Sequence, residues 1–300
     1  MKREDFGELV AALRQDLGWT QAELAESADI DDAVVSQMER GVKKYFEPHL
    51  LFQLANAFQL TTVERREFLL AASGLDQKEM VRQPSIATLT DVFNVRKTLE
   101  KMIELTGQVR LPAFLWDVYG DIVAANHILL SFFRVPPEFV EKGGKMPGGF
   151  NACRFSFGKD LVARHLIIDN WEQFALNSMR AFRENSLRYR AQPYFKYLMR
   201  MFRDQNEYPL FGRYWKMVSS IEQDREVNTD NYAFHHVEFG DIKYVTSSVV
   251  SITSFGELIL VEYLPLDKNT SQIFEQLAQE VGQDATTFAP WPVKTFSSQL

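Results

Sequence analysis

Cysteine is all but absent: Cys153 stands alone in 300 residues, which excludes an internal disulfide framework. No apolar run approaches the 18 or so residues that a membrane span requires, and the opening MKREDFGELV lacks the apolar centre of a signal peptide. Together these absences predict a cytoplasmic chain without membrane insertion. Cations are in deficit, with 33 Lys and Arg against 40 Asp and Glu and a net charge of −7. Coating nucleic acid non-specifically needs the opposite balance, so any DNA contact must be local. The five histidines are scattered, and His235 and His236, adjacent in a predicted strand, leave opposite faces and cannot chelate one ion together. G-x-S-x-G, H-E-x-x-H, paired cysteines and a Gly-rich dinucleotide turn are all missing. No catalytic residue, metal site or cofactor is therefore assigned. GGKMPGGFN is glycine-rich without being a phosphate loop, since Phe139 stands five before Gly144 and no Ser or Thr follows Lys145. It reads as a flexible surface loop, and Cys153 beside it as packing.

What is present is ordinary globular protein, 46% hydrophobic and long enough for two cores. Phe6, Leu9, Val10, Leu13 and Leu17 recur at spacings of three and four and lay one stripe along a first helix. Thr20 with Glu23 is a capping box that opens a second helix, Ala28-Asp29-Ile30 a turn, and Asp31 or Asp32 the cap of a third that ends at Gly41. Pro48 opens a fourth with Leu51, Leu54, Ala55 and Phe58 inward, and Thr61 with Glu64 caps a fifth that ends near Gly74. Polar residues 75–87 form the linker. From Thr88 to Thr106, Val92, Val95, Leu99 and Met102 make an apolar stripe that packs either on the second domain or on a second copy of itself.

PAFLWD and IVAAN flank Gly120-Asp121 as a hairpin. Residues 160–217 are helical by period, and AFHHVEF, IKYVTSSVVSIT and ELILVEYLPL form a three-stranded antiparallel meander. After Leu266 a short helix (Ile273, Leu277) precedes an expected disordered end. Trp116, Trp171 and Trp215 read as core. The predicted fold class is α+β: residues 1–74 a five-helix domain, 75–87 a linker, 88–266 an antiparallel sheet domain with covering helices, and 267–300 a tail.

TQAELAESADIDDAVVSQMERG resembles the helix-turn-helix of the lambda-repressor, Cro and xenobiotic-response-element family, through Thr20-Gln21, small Ala25, the Ala28-Asp29-Ile30 turn and Glu39-Arg40-Gly41. The resemblance implies that Gln21 meets a phosphate while Asp32, Ala33, Ser36 and Gln37 face base edges in the major groove. Gln37 suits adenine, Ala33 a thymine methyl, and Asp32 the amino group of cytosine. Residues 1–74 carry eight Lys and Arg against thirteen Asp and Glu, so Arg40, Lys43 and Lys44 must offset Asp29, Asp31 and Asp32 near phosphates.

From residue 88 to 266 the chain resembles the ligand-binding domain of MmyB-like transcription regulators. The matching residues include Pro112-Ala113, Gly120 to Asn126, Asn151 with Arg154 and Phe157, Asp169 to Glu172, Phe211 with Trp215, Phe239-Gly240 and Tyr263-Leu264-Pro265. Relatives often have Trp where this chain has Ala125. The resemblance implies a PAS-like pocket for a fatty-acid-like molecule. A carboxylate ligand needs a cation or convergent donors, for which the candidates are Asn126, Arg154, Arg180, Arg183, Arg188, Tyr194 and His235.

The expected protein is a homodimeric, DNA-binding transcription regulator rather than an enzyme. Its recognition helices address half-sites roughly 34 Å apart, ligand shifts their placement, and the 88–106 helix is the coupler. Two alternatives remain: a ligand-sensing adaptor that does not bind DNA, which the acidic N-terminal balance favours, and an enzyme acting on a lipid-like substrate.

Overall fold

The computed structural model describes residues 3–43, 45–74, 95–145, 149–159, 162–221, 231–253 and 256–294. The chain divides into two compact units. One comprises Met1–Asp91, Arg183–Lys196 and Val218–Asp224, the other Val92–Phe182, Tyr197–Met217 and Arg225–Leu300. The fold class is α+β, as the sequence predicts.

In the first unit α1 (Arg3–Asp16), α2 (Gln21–Ala28), α3 (Asp32–Glu39), α4 (Pro48–Ala57) and α5 (Thr62–Ser73) follow one another. Both predicted capping boxes form. The Thr20 hydroxyl accepts from the Glu23 N–H while the Glu23 carboxylate accepts from the Thr20 N–H, and Thr61 and Glu64 repeat the arrangement. Asp29 ends α2 in the left-handed region at φ 53°, and Asp31 caps α3 through the Ala33 N–H. Phe6, Leu9, Val10, Leu24, Val35, Met38, Leu54 and Phe68 fill the core, each at most 0% exposed. A Cβ on Gly7 would stand 2.2 Å from the Met38 carbonyl oxygen, so α1 and α3 approach this closely only through glycine. Leu187, far along the chain, completes this same core.

The second unit is built on an antiparallel six-stranded sheet. Its strands are β1 (Ala113–Asp117), β2 (Ile122–Asn126), β3 (Asn231–His236), β4 (Gly240–Thr253), β5 (Gly256–Pro265) and β6 (Ala285–Thr287), in the order β3-β4-β5-β1-β2-β6. The predicted hairpin and meander are thus joined edge to edge by β1 and β5, with Leu115 opposite Leu260. Helix α6 (Val95–Gln108) sets Val95, Leu99, Met102 and Ile103 against Leu115, Val123, Ala124, Leu258 and Trp291. Of the two packings its stripe allowed, the one on its own domain is seen; Val92, with 88–94, lies outside the described residues.

The short helices α7 (His127–Phe132), α8 (Pro137–Lys142), α9 (Ala152–Phe157) and α10 (Val162–Leu166) come next. They lead into α11 (Trp171–Ser186), α12 (Pro193–Phe202) and α13 (Phe211–Ile221), and α14 (Lys268–Val281) follows β5. Phe132, Phe174 and Phe274 cover a second apolar cluster with Tyr232, Tyr244 and Tyr263. Residues 171–182 of α11 belong to the second unit, and its last turn, from Arg183, to the first.

Two expectations are corrected. The glycine-rich stretch is not a bare surface loop: Gly143 is buried in a single 3-10 turn (Gly143–Lys145), and a Cβ there would lie 2.5 Å from the Phe150 ring. Residues 146–148 lie outside the described residues. Nor is the end of the chain loose as far as Lys294, because β6 pairs with β2 and Trp291 is buried. Apolar Trp291 and Phe288, three and six residues short of the last described position, supply the adhesion that a polar tail would lack. The linker 75–87 lies outside the described residues.

Candidate functional site

The α3 face is assembled by a polar knot behind it. Arg14 holds the Glu39 carboxylate with two nitrogens, at 2.6 and 2.9 Å, and donates a third bond to the Trp19 carbonyl. Gln21 adds its side-chain amide to Glu39 at 2.8 Å. One carboxylate thereby ties α1, α2 and α3 together and fixes where α3 points. The hydrogen bond to Glu39 raises the Arg14 pKa, and together with the Glu39 charge it outweighs the lowering effect of burial. Neither Arg14 nor Glu39 was singled out from the sequence for this role, although Glu39 sits in the motif itself.

In front of the knot, Asp32, Ala33 and Gln37 are exposed and Ser36 half-buried. Arg40 is exposed and folds its Nε back to the Ser36 carbonyl at 3.2 Å; Lys43 is half-buried, and Lys44 lies outside the described residues. Gln21 is half-buried, its amide engaged by Glu39. Two of the three aspartates beside this face have local work: Asp31 caps α3, where its negative charge meets the helix's positive end, and Asp29 terminates α2.

Behind α5 lies a cluster of buried charges. Glu64, fully buried, accepts two bonds from Arg183 at 3.1 and 2.9 Å, another from Arg190, and the Thr61 backbone N–H at 2.9 Å. Burial pushes the Glu64 pKa up, but the two guanidinium charges and the Thr61 backbone outweigh it and the net shift is downward. Arg190 is lowered by burial, against the raising effect of Glu64. Arg188 pairs with Glu67 at 3.8 Å, and Tyr194 is half-buried in the same unit. Three of the seven ligand candidates, Arg183, Arg188 and Tyr194, therefore belong to the unit that carries α1 to α5.

The other four lie in the second unit. Asn126 is consumed by the fold: its side-chain oxygen accepts from Ala113 and Leu129 N–H groups and its amide donates to the Val109 and Leu111 carbonyls. Arg154 donates to the Gly143 and Gly149 carbonyls and lies over the Phe139 ring at 4.6 Å. His235 is half-buried and paired with Asp241 at 2.8 Å. Its neighbour His236 is buried against Phe132 and Phe239, on the opposite face as predicted. Arg180 differs from all of these. It is 7% exposed, its Nε is sealed from solvent, and its side chain has no hydrogen bond or ion pair among the described residues.

On one side of the sheet three tyrosines stack across β3, β4 and β5, with Tyr232 on Tyr244 at 4.8 Å and Tyr244 on Tyr263 at 4.3 Å. Phe174, Phe133 and Phe114 close around them. The indole N–H groups of Trp116 and Trp171, in this same cluster, are buried without a hydrogen bond among the described residues. Trp116 and Trp215 are buried, in keeping with a core role.

At the far end of β1, Lys294 bridges two buried carboxylates, Asp117 at 2.5 Å and Asp121 at 2.7 Å. Burial, with the charge of Asp121, pushes Asp117 up to about 6 against the pull of Lys294. Asn151 donates to Asp121, and the Tyr119 and Asp121 N–H groups to Asp117. Cys153 is fully buried, and burial drives its thiol well up, so it is inert packing.

Residues 10–65 match the Helix-turn-helix family model. Residues 95–277, more than half the chain, match the model of the MmyB-like transcription regulator ligand binding domain. The chain belongs to the MmyB-like transcription regulators. No curated protein sequence matches it. An MmyB-like regulator couples a DNA-binding helix-turn-helix to a ligand-sensing domain, which accounts for both units and sets the chain among transcription regulators rather than enzyme families. Its partners are accordingly DNA and a small molecule. Among the described residues no helix is long and apolar enough to cross a membrane.

Proposed function

We propose that this MmyB-like regulator is a cytoplasmic homodimer that reads an operator through α3 and is switched by a fatty-acid-like molecule held in a PAS-like sensor. The exposed α3 face carries the reading: Asp32, Ala33 and Gln37 stand outward on a helix fixed from behind by Arg14, Gln21 and Glu39. A helix held this way presents its side chains at one angle, as base readout in a groove requires. The antiparallel sheet, with its aromatic layer and covering helices, supports the sensor half. Helix α6 remains the proposed coupler. Leu99→Asp should change the oligomeric state or the response to ligand, and a variant that alters neither removes α6 from that role.

Operator binding is the test. Genomic fragments are selected on the purified protein and the best is titrated by fluorescence anisotropy at several salt concentrations. Binding that weakens with salt, and that Gln37→Ala weakens about five- to a hundredfold on the selected site but little on random DNA, is the expected result. Selection of no fragment overturns the DNA reading in favour of an adaptor, the alternative that the acidic balance of residues 1–74 favours.

A further inference from the structure

Among the described residues, the outer half of β4 lacks a cover. β3 pairs with β4 only as far as Val245, opposite Asn231, while β5 runs beside β4 without a bulge from Tyr244 to Thr253. From Thr246 to Ile252 the strand therefore has β5 on one edge and, among the described residues, no strand on the other. Its faces are open as well. Val249 is 56% exposed, Val250 52% and Ile252 44%, and successive residues of a strand point to opposite faces. The neighbouring strand shows the contrast. On β5, Leu258 is buried in the cluster that α6 and Trp291 cover, and Ile259 and Val261 are buried in the aromatic cluster.

Natural sheets blunt such an edge with lysine, proline or a bulge. None occurs between Thr246 and Ile252, and the thirteen residues from Tyr244 to Gly256 carry no charge, in a chain that is 24% charged. That absence points to the occupant. When a strand pairs antiparallel with its own copy, the two-fold axis stands normal to the sheet, and each side chain meets itself or a residue an even number of places away. A charge near the axis lies close to its own copy, which is destabilising, whereas pairing with an unrelated strand imposes no such rule. With the axis at Val250, Val250 meets Val250, Val249 meets Ser251 and Ser248 meets Ile252. Helix α6 widens the contact. Met102 Sδ is 3.9 Å from the hydroxyl of Ser251, which shares a face with Val249, and Leu105, one turn on, is 41% exposed. The nine residues ahead of β3, outside the described residues, offer one large apolar side chain, Val227, among five charges.

We infer that the second unit pairs with a second copy of the chain through Thr246–Ile252 of β4, antiparallel and edge to edge, so that the two sheets run on as one. The inference rests on the homodimer reading and gives that dimer its interface.

Sedimentation of the full-length protein across a dilution series, without DNA, tests it. Wild type should be a dimer. Val250→Lys and Ile252→Lys should each raise its dissociation constant about tenfold or more, with the circular-dichroism spectrum of wild type retained, since both residues are exposed in the single chain. A second measurement does not depend on charge. Ser248→Cys, Val249→Cys, Val250→Cys and Ser251→Cys are each oxidised mildly, with wild type as the control for buried Cys153. The position at the axis should give a disulfide-linked dimer and its immediate neighbours far less, because directly facing Cβ atoms lie about 5 Å apart and diagonal ones about 7–8 Å. Two results overturn the inference while the homodimer stands: a dimer that neither lysine weakens, or no disulfide at any of the four positions. A wild type that is monomeric at every dilution overturns both readings, and slow hydrogen exchange at Thr246–Ile252 in that monomer would assign the cover to residues 222–230.

Discussion

Glu64 performs two tasks with one side chain. As the third residue of α5 it closes a capping box with Thr61, and as a buried anion it neutralises Arg183 and Arg190. Glu64→Gln keeps much of the shape and the cap but leaves two guanidinium groups facing a neutral amide. Breaking one side of a buried ion pair costs about 3–5 kcal/mol, and urea unfolding at pH 7 should show a loss in that range. The pH dependence has a definite sign. Because the fold lowers the Glu64 pKa, the stabilisation is fully present above its ordinary value of 4.5 and is lost as pH falls toward its folded value. The difference between wild type and Glu64→Gln should therefore shrink in acid. A difference that stays constant from pH 7 to pH 3.5 would mean that the carboxylate's charge is not what matters.

At the scale of elements, the five N-terminal helices were legible because their signals are local. Thr20 with Glu23, and Thr61 with Glu64, act across three residues, and the Leu51, Leu54, Ala55 and Phe58 stripe needs only helical period. The hairpin through Gly120, at φ 77°, and the meander were legible for the same reason. The joining of β1 to β5 was not, since register across well over a hundred residues leaves no local trace. The last strand escaped as well: three residues of β6 are too few for a pattern, and Lys294 meets Asp121 only across 173 positions.

That final segment makes its own prediction. Lys294 offsets two carboxylates, and the fold already holds Asp117 near 6. A raised folded pKa means that stability declines as pH climbs from about 4 through about 6, because ionisation is then opposed by the fold. Lys294→Met should deepen this decline, destabilising the protein more at pH 8 than at pH 5, where Asp117 can take a proton. Urea midpoints at the two pH values measure it, and equal losses at both would show that Lys294 contributes packing only. Among the candidate ligand residues, the sequence did not reveal which arginines the fold itself would use. Whether Arg183 or Arg180 finds a partner depends on Glu64, 119 residues from Arg183, and spacing alone carries no such information.

For the molecule as a whole, the first unit is discontinuous in sequence. Residues 1–74 contain all five of its N-terminal helices but neither Leu187 nor the two arginines that neutralise Glu64. The same substitution should consequently have effects of different size in two contexts. Glu64→Leu strands Arg183 and Arg190 in the full chain and costs several kcal/mol there, whereas in a 1–74 fragment it costs only the capping bond to Thr61, about 1 kcal/mol. Circular-dichroism melts of the four proteins decide it, and equal losses in both contexts would show that the arginines do not govern the Glu64 site.

The separation of Glu64 from Arg190, 126 residues, also sets a clock on synthesis. At ribosomal rates of about 5–20 residues per second, Arg190 emerges roughly 6–25 s after Glu64. For that interval the nascent reader has its capping boxes and most of its apolar core, while an uncompensated acid and the place Leu187 will fill stay open to water. The DNA-reading half thus matures only after much of the sensing half has been made, so a prematurely ended chain carries an incomplete reader.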